Sequence, residues 1–227
     1  MKKQMKSLTR LILALNACLL VTVALTAEAQ DRPPPDAVAN FEAGIVAYQA
    51  NDLPLAYKEF LAAAEEGHAD SQFNVALMYE RGIGVGKDEK DAVVWYGKAA
   101  SQGNASAQFN LGVLYEHGSG TQVDFAKANE WYRKASVQGD ALAIGNLGML
   151  YVRGQGVKEN KTAGVALLLV SATQDPSPQN HAKRNIASTR GLSAEMIAAA
   201  QSLSGEMSSV KNLLVPLDQY LKNVEKK

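Results

Sequence analysis

One cysteine and three histidines in 227 residues leave little from which to build a disulfide framework, a zinc site or a thiolate nucleophile. Cys18 lies inside an apolar stretch near the N-terminus, and His68, His117 and His181 have no cysteine or carboxylate at ligand spacing, so no metal or other cofactor is expected. Charge of one sign is missing too: 23 Lys and Arg balance 23 Asp and Glu, and no basic stripe is present that would neutralise a run of phosphates, which argues against nucleic acid as a partner. No Ser-His-Asp arrangement, paired carboxylates on one face or nucleophile elbow emerges, so nothing points to an enzyme. The longest apolar run, residues 11–25, is shorter than the ~20 residues a membrane-spanning helix requires.

That run has a different meaning. Lys2, Lys3, Lys6 and Arg10 precede it and Ala27-Glu28-Ala29 follows it, the order of a secretory signal with its small-x-small cleavage site. Residues 1–29 are therefore expected to be removed, leaving a chain that starts at Gln30, has no cysteine, inserts in no membrane and carries 19 positive against 22 negative side chains, a net of −3. The expected location is the periplasm, or the medium. Leu15-Asn16-Ala17-Cys18 faintly resembles a lipoprotein acceptor box, but the apolar residues continue past Cys18 where a polar linker would follow.

What the sequence does have is repetition. Ser71-Gln72-Phe73-Asn74 to Tyr79 recurs as Ala107-Gln108-Phe109-Asn110 to Tyr115 and as Ala143 to Tyr151, each copy 36 residues after the last. A period of this size predicts an all-α solenoid, in which each unit buries its apolar face only by stacking on its neighbours. Asp52, Asp88, Asp124 and Asn160 fall on the same period and read as N-caps. Arg81-Gly82, His117-Gly118 and Arg153-Gly154 read as helix stops, with a basic side chain near the negative end of the dipole. Each unit thus predicts a helix A (69–81 in the first full copy), a Gly-x-Gly turn and a helix B (about 88–101), joined as an antiparallel hairpin. The turns follow helices and recur three times, which favours turn geometry over phosphate binding.

On helix B, Ala92, Trp95, Tyr96, Ala99 and Ala100 recur at helical spacing, so Trp131 in the next copy is expected to be buried between its own hairpin and the following one. Lys98 and Arg133 are expected on the outer surface of helix B. The third copy places Leu167-Leu168 where the others have Trp-Tyr. Residues 30–36 read as a Pro-rich leader, and residues 37–68 as a degenerate N-terminal capping repeat with Gly44, Tyr48, Asp52, Ala56 and Phe60 and a shorter turn. Residues 69–174 hold the three full repeats. Residues 175–227 read as capping helices and a tail: one helix over 179–189, a second from Ala194 to about Leu214 until Pro216 interrupts it, and a short fraying helix beyond.

The string Gln108 to Tyr115, Gly118-x-Gly120, Ala128-x-x-Trp131-Tyr132-x-Lys134-Ala135 and Gln138-Gly139 resembles the Sel-one-like repeat (SLR), a relative of the tetratricopeptide repeat. Leu192-Ser193-Ala194-Glu195 to Gln201 resembles the terminal helix of many bacterial members. The resemblance implies an α/α superhelix of the TPR-like type that binds proteins or peptides without catalysis, often in bacterial envelope, signalling or host-contact settings. Some secreted relatives staple each repeat with a cysteine pair and have been discussed as binding or hydrolysing β-lactams. The alternative it implies is a secreted β-lactam-binding or cell-wall hydrolase-like protein, although those cysteines are absent here.

In stacked hairpins the A helices line the concave face. Phe73, Asn74 and Leu77 share one side of the first A helix, with Phe109, Asn110 and Val113, then Gly145, Asn146 and Met149, below them. This asparagine ladder beside an apolar stripe is the candidate partner-binding site: Asn can both donate to and accept from a peptide backbone. The same asparagines would equally serve as bridges between repeats.

Overall fold

The computed structural model describes residues 34–226, and the regular structure within them is helical throughout. Four hairpins follow one another: α1 (Pro35–Gln49) with α2 (Leu53–Glu65), α3 (Ala69–Arg81) with α4 (Glu89–Ser101), α5 (Ala105–His117) with α6 (Phe125–Val137), and α7 (Ala141–Arg153) with α8 (Lys161–Gln174). Then come α9 (Ala182–Ser188), α10 (Ala194–Ser208) and α11 (Leu214–Glu225). Each helix of the four hairpins packs on its neighbours in sequence, and α9 and α10 cover α8, giving an α/α superhelical solenoid closed at its C-terminal end. The expected signal segment, Cys18 included, lies outside the described residues.

Local chemistry sets the helix ends. Asp88 accepts hydrogen bonds from the amides of Lys90 and Asp91 at 2.8 and 3.1 Å, Asp124 from Lys127 at 2.9 Å and Asn160 from Ala163 at 2.9 Å. The A helices are capped as well, by His68, Asn104 and Asp140. Gly82, Gly118 and Gly154 hold the left-handed conformation at φ of +69, +73 and +66°. The second glycine of each turn has a further reason. A Cβ on Gly84, Gly120 or Gly156 would collide with the backbone of Leu53, Glu89 or Phe125, so each turn docks against the start of the B helix one unit earlier.

Small residues let the helices approach and aromatic rings fill what remains. Ala56, Ala92 and Ala128 are wholly buried, as are Tyr96 and Tyr132. The core falls into an upstream cluster, from Ala47 to Leu114, and a downstream one, from Ala128 to Leu217, with the Tyr115 ring packed against both. Trp131 departs from expectation. It is half-buried and packs against the upstream cluster, while its neighbour Tyr132 is the fully buried side chain. One step along a helix turns a side chain by about 100°, and here that step takes Trp131 off the seam and under the Lys134 ammonium, 3.8 Å from the ring centroid.

The C-terminal segment differs too. The second helix after the repeats ends at Ser208, and a separate helix begins at Leu214. Pro216 sits in the first turn of α11, where a missing N–H has no intrahelical partner to lose, so it opens a helix where interruption was expected. α11 folds back onto the repeats: Leu217 is fully buried, and both carboxylate oxygens of Asp218 accept from Nη2 of Arg133 at 2.6 Å. Arg133 is therefore not on a free outer surface; it clamps the tail to α6.

Candidate functional site

Apart from the buried Gly145, the A-helix residues singled out by the repeat are half-buried, and hydrogen-bond relays tie Asn110 and Asn146 to the preceding unit. Asn110 on α5 donates to the Tyr96 hydroxyl of α4 at 3.2 Å, and Tyr96 donates to Glu80 Oε2 on α3 at 2.6 Å. One unit later Asn146 donates to Tyr132 at 3.1 Å and Tyr132 to Glu116 at 2.7 Å. Phe73 and Phe109 lie beside these tyrosines, with ring centroids 5.7 and 6.1 Å apart. Burial, reinforced by the bond to Glu80, pushes the Tyr96 hydroxyl far above its usual range; burial and the neighbouring Glu116 charge do the same to Tyr132. Both remain protonated donors.

Asn110 and Asn146 thus spend one amide N–H each inside the protein, and their carbonyl oxygens carry no partner among the described residues. Each amide keeps a second N–H, so the row offers a ligand both donors and acceptors, flanked by the half-buried side chains of Leu77, Val113 and Met149. Val113 also packs on the downstream core, whereas Leu77 and Met149 belong to neither cluster. Gly145 is buried under Ser171 and offers no surface.

A second set of ties escaped the sequence reading. Gln102 donates to Gln72 Oε1 at 2.7 Å and to the Gly67 carbonyl at 2.9 Å, and Gln138 donates to Gln108 Oε1 at 2.8 Å and to the Gly103 carbonyl at 2.9 Å. Gln72 and Gln108 in turn donate to the carbonyls of Ala64 and Ala100, both at 3.0 Å. These glutamines satisfy carbonyls at the C-terminal ends of the B helices. Their 36-residue phasing was the available signal.

The first unit boundary is built differently. Gly44 of α1 faces the Phe60 ring as Gly112 of α5 faces the Tyr132 ring, which sets the register between the two hairpins. Four residues on, Tyr48 stands where Glu116 stands, and Asn74 faces Phe60, which has no hydroxyl. Asn74 and Leu77 here border a cavity of about 300 Å³ with Ile45, Tyr48, Phe60 and Met78. The histidines have ordinary roles: His68 caps α3, and the His117 ring bonds the Val113 carbonyl. Among the described residues no three of His, Cys, Asp and Glu gather in a metal-holding geometry, and no helix is long and apolar enough to cross a membrane.

The model of the family described as the Sel1 repeat matches residues 69–104, 105–140 and 141–176, the three units in the observed phase. The crystal structure of a Sel1 repeat protein from Oxalobacter formigenes is 30% identical over 80% of this chain and 78% of that one, with a TM-score of 0.60. The chain belongs to the Sel1 repeat family. Sel1 repeats generally serve as scaffolds for protein–protein contact. A protective antigen present in uropathogenic Escherichia coli strains, displaying an SLR fold, is 26% identical over 82% of this chain, with a TM-score of 0.51; this chain spans about half of it, 48%. No curated protein matches.

Proposed function

We propose that this Sel1 repeat protein is a non-catalytic scaffold of the bacterial envelope, exported with loss of residues 1–29, which takes a protein or peptide partner along the A-helix groove. The observation that carries the reading is the row itself. Phe73 and Leu77 in the first unit, Phe109 and Val113 in the second and Met149 in the third supply half-buried apolar surface, and the Asn110 and Asn146 carbonyls stand beside it as acceptors for backbone N–H groups. An extended chain offers that alternation of donor and apolar side chain. A hydrolase would need titratable groups that converge on an open site, and Glu80 and Glu116, the carboxylates at the row, each accept a tyrosine hydroxyl.

The test is capture from the envelope fraction of the cell that makes the protein, followed by mass spectrometry. Met149→Glu places a charge in the row without touching either core cluster, and should weaken capture at least about tenfold, the ~1.4 kcal/mol of a modest interface residue. Lys98→Ala on the exposed side of α4 should leave capture unchanged. Unaltered capture by Met149→Glu, with loss in Lys98→Ala, would move the partner to the opposite face.

A further inference from the structure

We propose that the cavity between α1 and α3 receives one uncharged apolar side chain, of leucine to phenylalanine size, from an extended partner peptide, while Asn74 hydrogen-bonds the peptide backbone beside it. This deepens the groove reading and rests on it: it assigns the anchor its place and chemistry.

Three consecutive unit boundaries are variations on one design. At α4–α5 and α6–α7 a tyrosine hydroxyl fills the space between a glutamate and an asparagine, giving to the first and accepting from the second. At α2–α3 the tyrosine has become Phe60, buried and without a hydroxyl, and the glutamate position holds Tyr48, 49% exposed and at the border of the space. The hydroxyl and the carboxylate of the relay are both missing here, and the opening of about 300 Å³ lies beside Phe60, Tyr48 and the unpaired Asn74. That volume is at the small end of ligand sites, ~300–1,000 Å³, and suits a side chain better than a cofactor.

The lining decides what enters. Ile45, Phe60, Leu77, Met78 and Ile83 are apolar, Tyr48 and Gln49 are uncharged, and no charged residue borders the space, so an ammonium or carboxylate would be stripped of water without a counter-ion. Asn74 differs from Asn110 and Asn146 in having neither its amide nor its carbonyl paired among the described residues, so it can both give to and accept from one peptide unit.

The experiment uses isotope-labelled protein in the form the cell delivers, titrated with capped pentapeptides Gly-Gly-X-Gly-Gly in which X is Leu, Phe, Ala, Lys or Asp. With Leu and Phe, the Asn74 side-chain amide and the Met78 methyl should shift in the nuclear magnetic resonance spectrum, with an apparent affinity at least tenfold above that for Ala, Lys or Asp. The double variant Tyr48→Glu with Phe60→Tyr rebuilds the relay of the other two boundaries. It should remove the Leu and Phe response while the melting temperature holds or rises. Equal responses to all five peptides, or shifts confined to other residues, overturn the proposal. So does a folded double variant that still responds, and so do Asn74 shifts that follow protein concentration without peptide, which would make a second copy the occupant. The side-chain selectivity of the unmutated protein decides the matter even if the double variant does not fold. A failed titration beside the expected loss of capture in Met149→Glu would remove the anchor and leave the groove; failure of both would remove both.

Discussion

Tyr132→Phe removes one oxygen atom and no apolar volume, so it isolates the relay from core packing. The lost hydroxyl donates to Glu116 at 2.7 Å and accepts from Asn146 at 3.1 Å. A hydrogen bond to a charged group contributes about 1.5–3 kcal/mol and one between neutral groups about 0.5–1.5. Glu116 and Asn146 are only half-buried, so water can reach both when the hydroxyl goes, which favours the low end of each range. The expected loss is about 1–2 kcal/mol, or a melting temperature lower by about 3–6 °C for a chain of this length. The assay is a urea titration followed by circular dichroism, run alongside Asn146→Ala and the double variant. If the relay is one unit, Tyr132→Phe should cost at least about 0.5 kcal/mol less in the Asn146→Ala background than alone. Phe60 is the internal control, because that boundary already lacks the hydroxyl; Phe60→Tyr should be neutral or stabilising. A loss below about 0.3 kcal/mol for Tyr132→Phe, together with full additivity in the double variant, would refute the relay as an element holding the units together.

Three further outcomes are expected. Because Tyr96 and Tyr132 are held above their unfolded pKa of about 10, their contribution is complete below that pH and is lost as pH climbs beyond it, by up to ~1.4 kcal/mol per pH unit for each; alkaline melting curves should show this, with a shallower slope in Tyr132→Phe. Arg133→Ala should release α11: the pair is partly exposed, so the global loss is about 1 kcal/mol or less after screening, but hydrogen exchange over residues 214–225 should accelerate while α3 to α5 are unchanged. Intact mass of the exported protein should begin at Gln30, and a mass that retains residues 1–29, or a diacylglyceryl group on Cys18, would overturn the reading of the leader.

The parts of this molecule that were legible in its sequence are those decided within a turn or two of chain. Asp88, Asp124 and Asn160 cap because their side chains reach amides two or three residues on, and Gly82, Gly118 and Gly154 stop helices because they alone take the left-handed conformation cheaply. A 36-residue period then repeats those local decisions, and units that cannot bury their own apolar faces have to stack. What the candidate site does with its residues was settled only when the units met. Glu116 and Tyr132 are 16 residues apart and Asn146 a further 14, so their relay exists only where two hairpins dock. The cavity at the first boundary depends on Phe60 and Tyr48 leaving a space that no pattern of apolar residues records. The tail is the extreme case: Asp218 finds Arg133 across 85 residues, and Leu217 is buried against a core laid down by other helices. Caps and helix stops are short-range hydrogen bonding written into neighbouring residues, whereas the position of Trp131, the free amide of Asn74 and the docking of α11 depend on which surfaces face each other after packing.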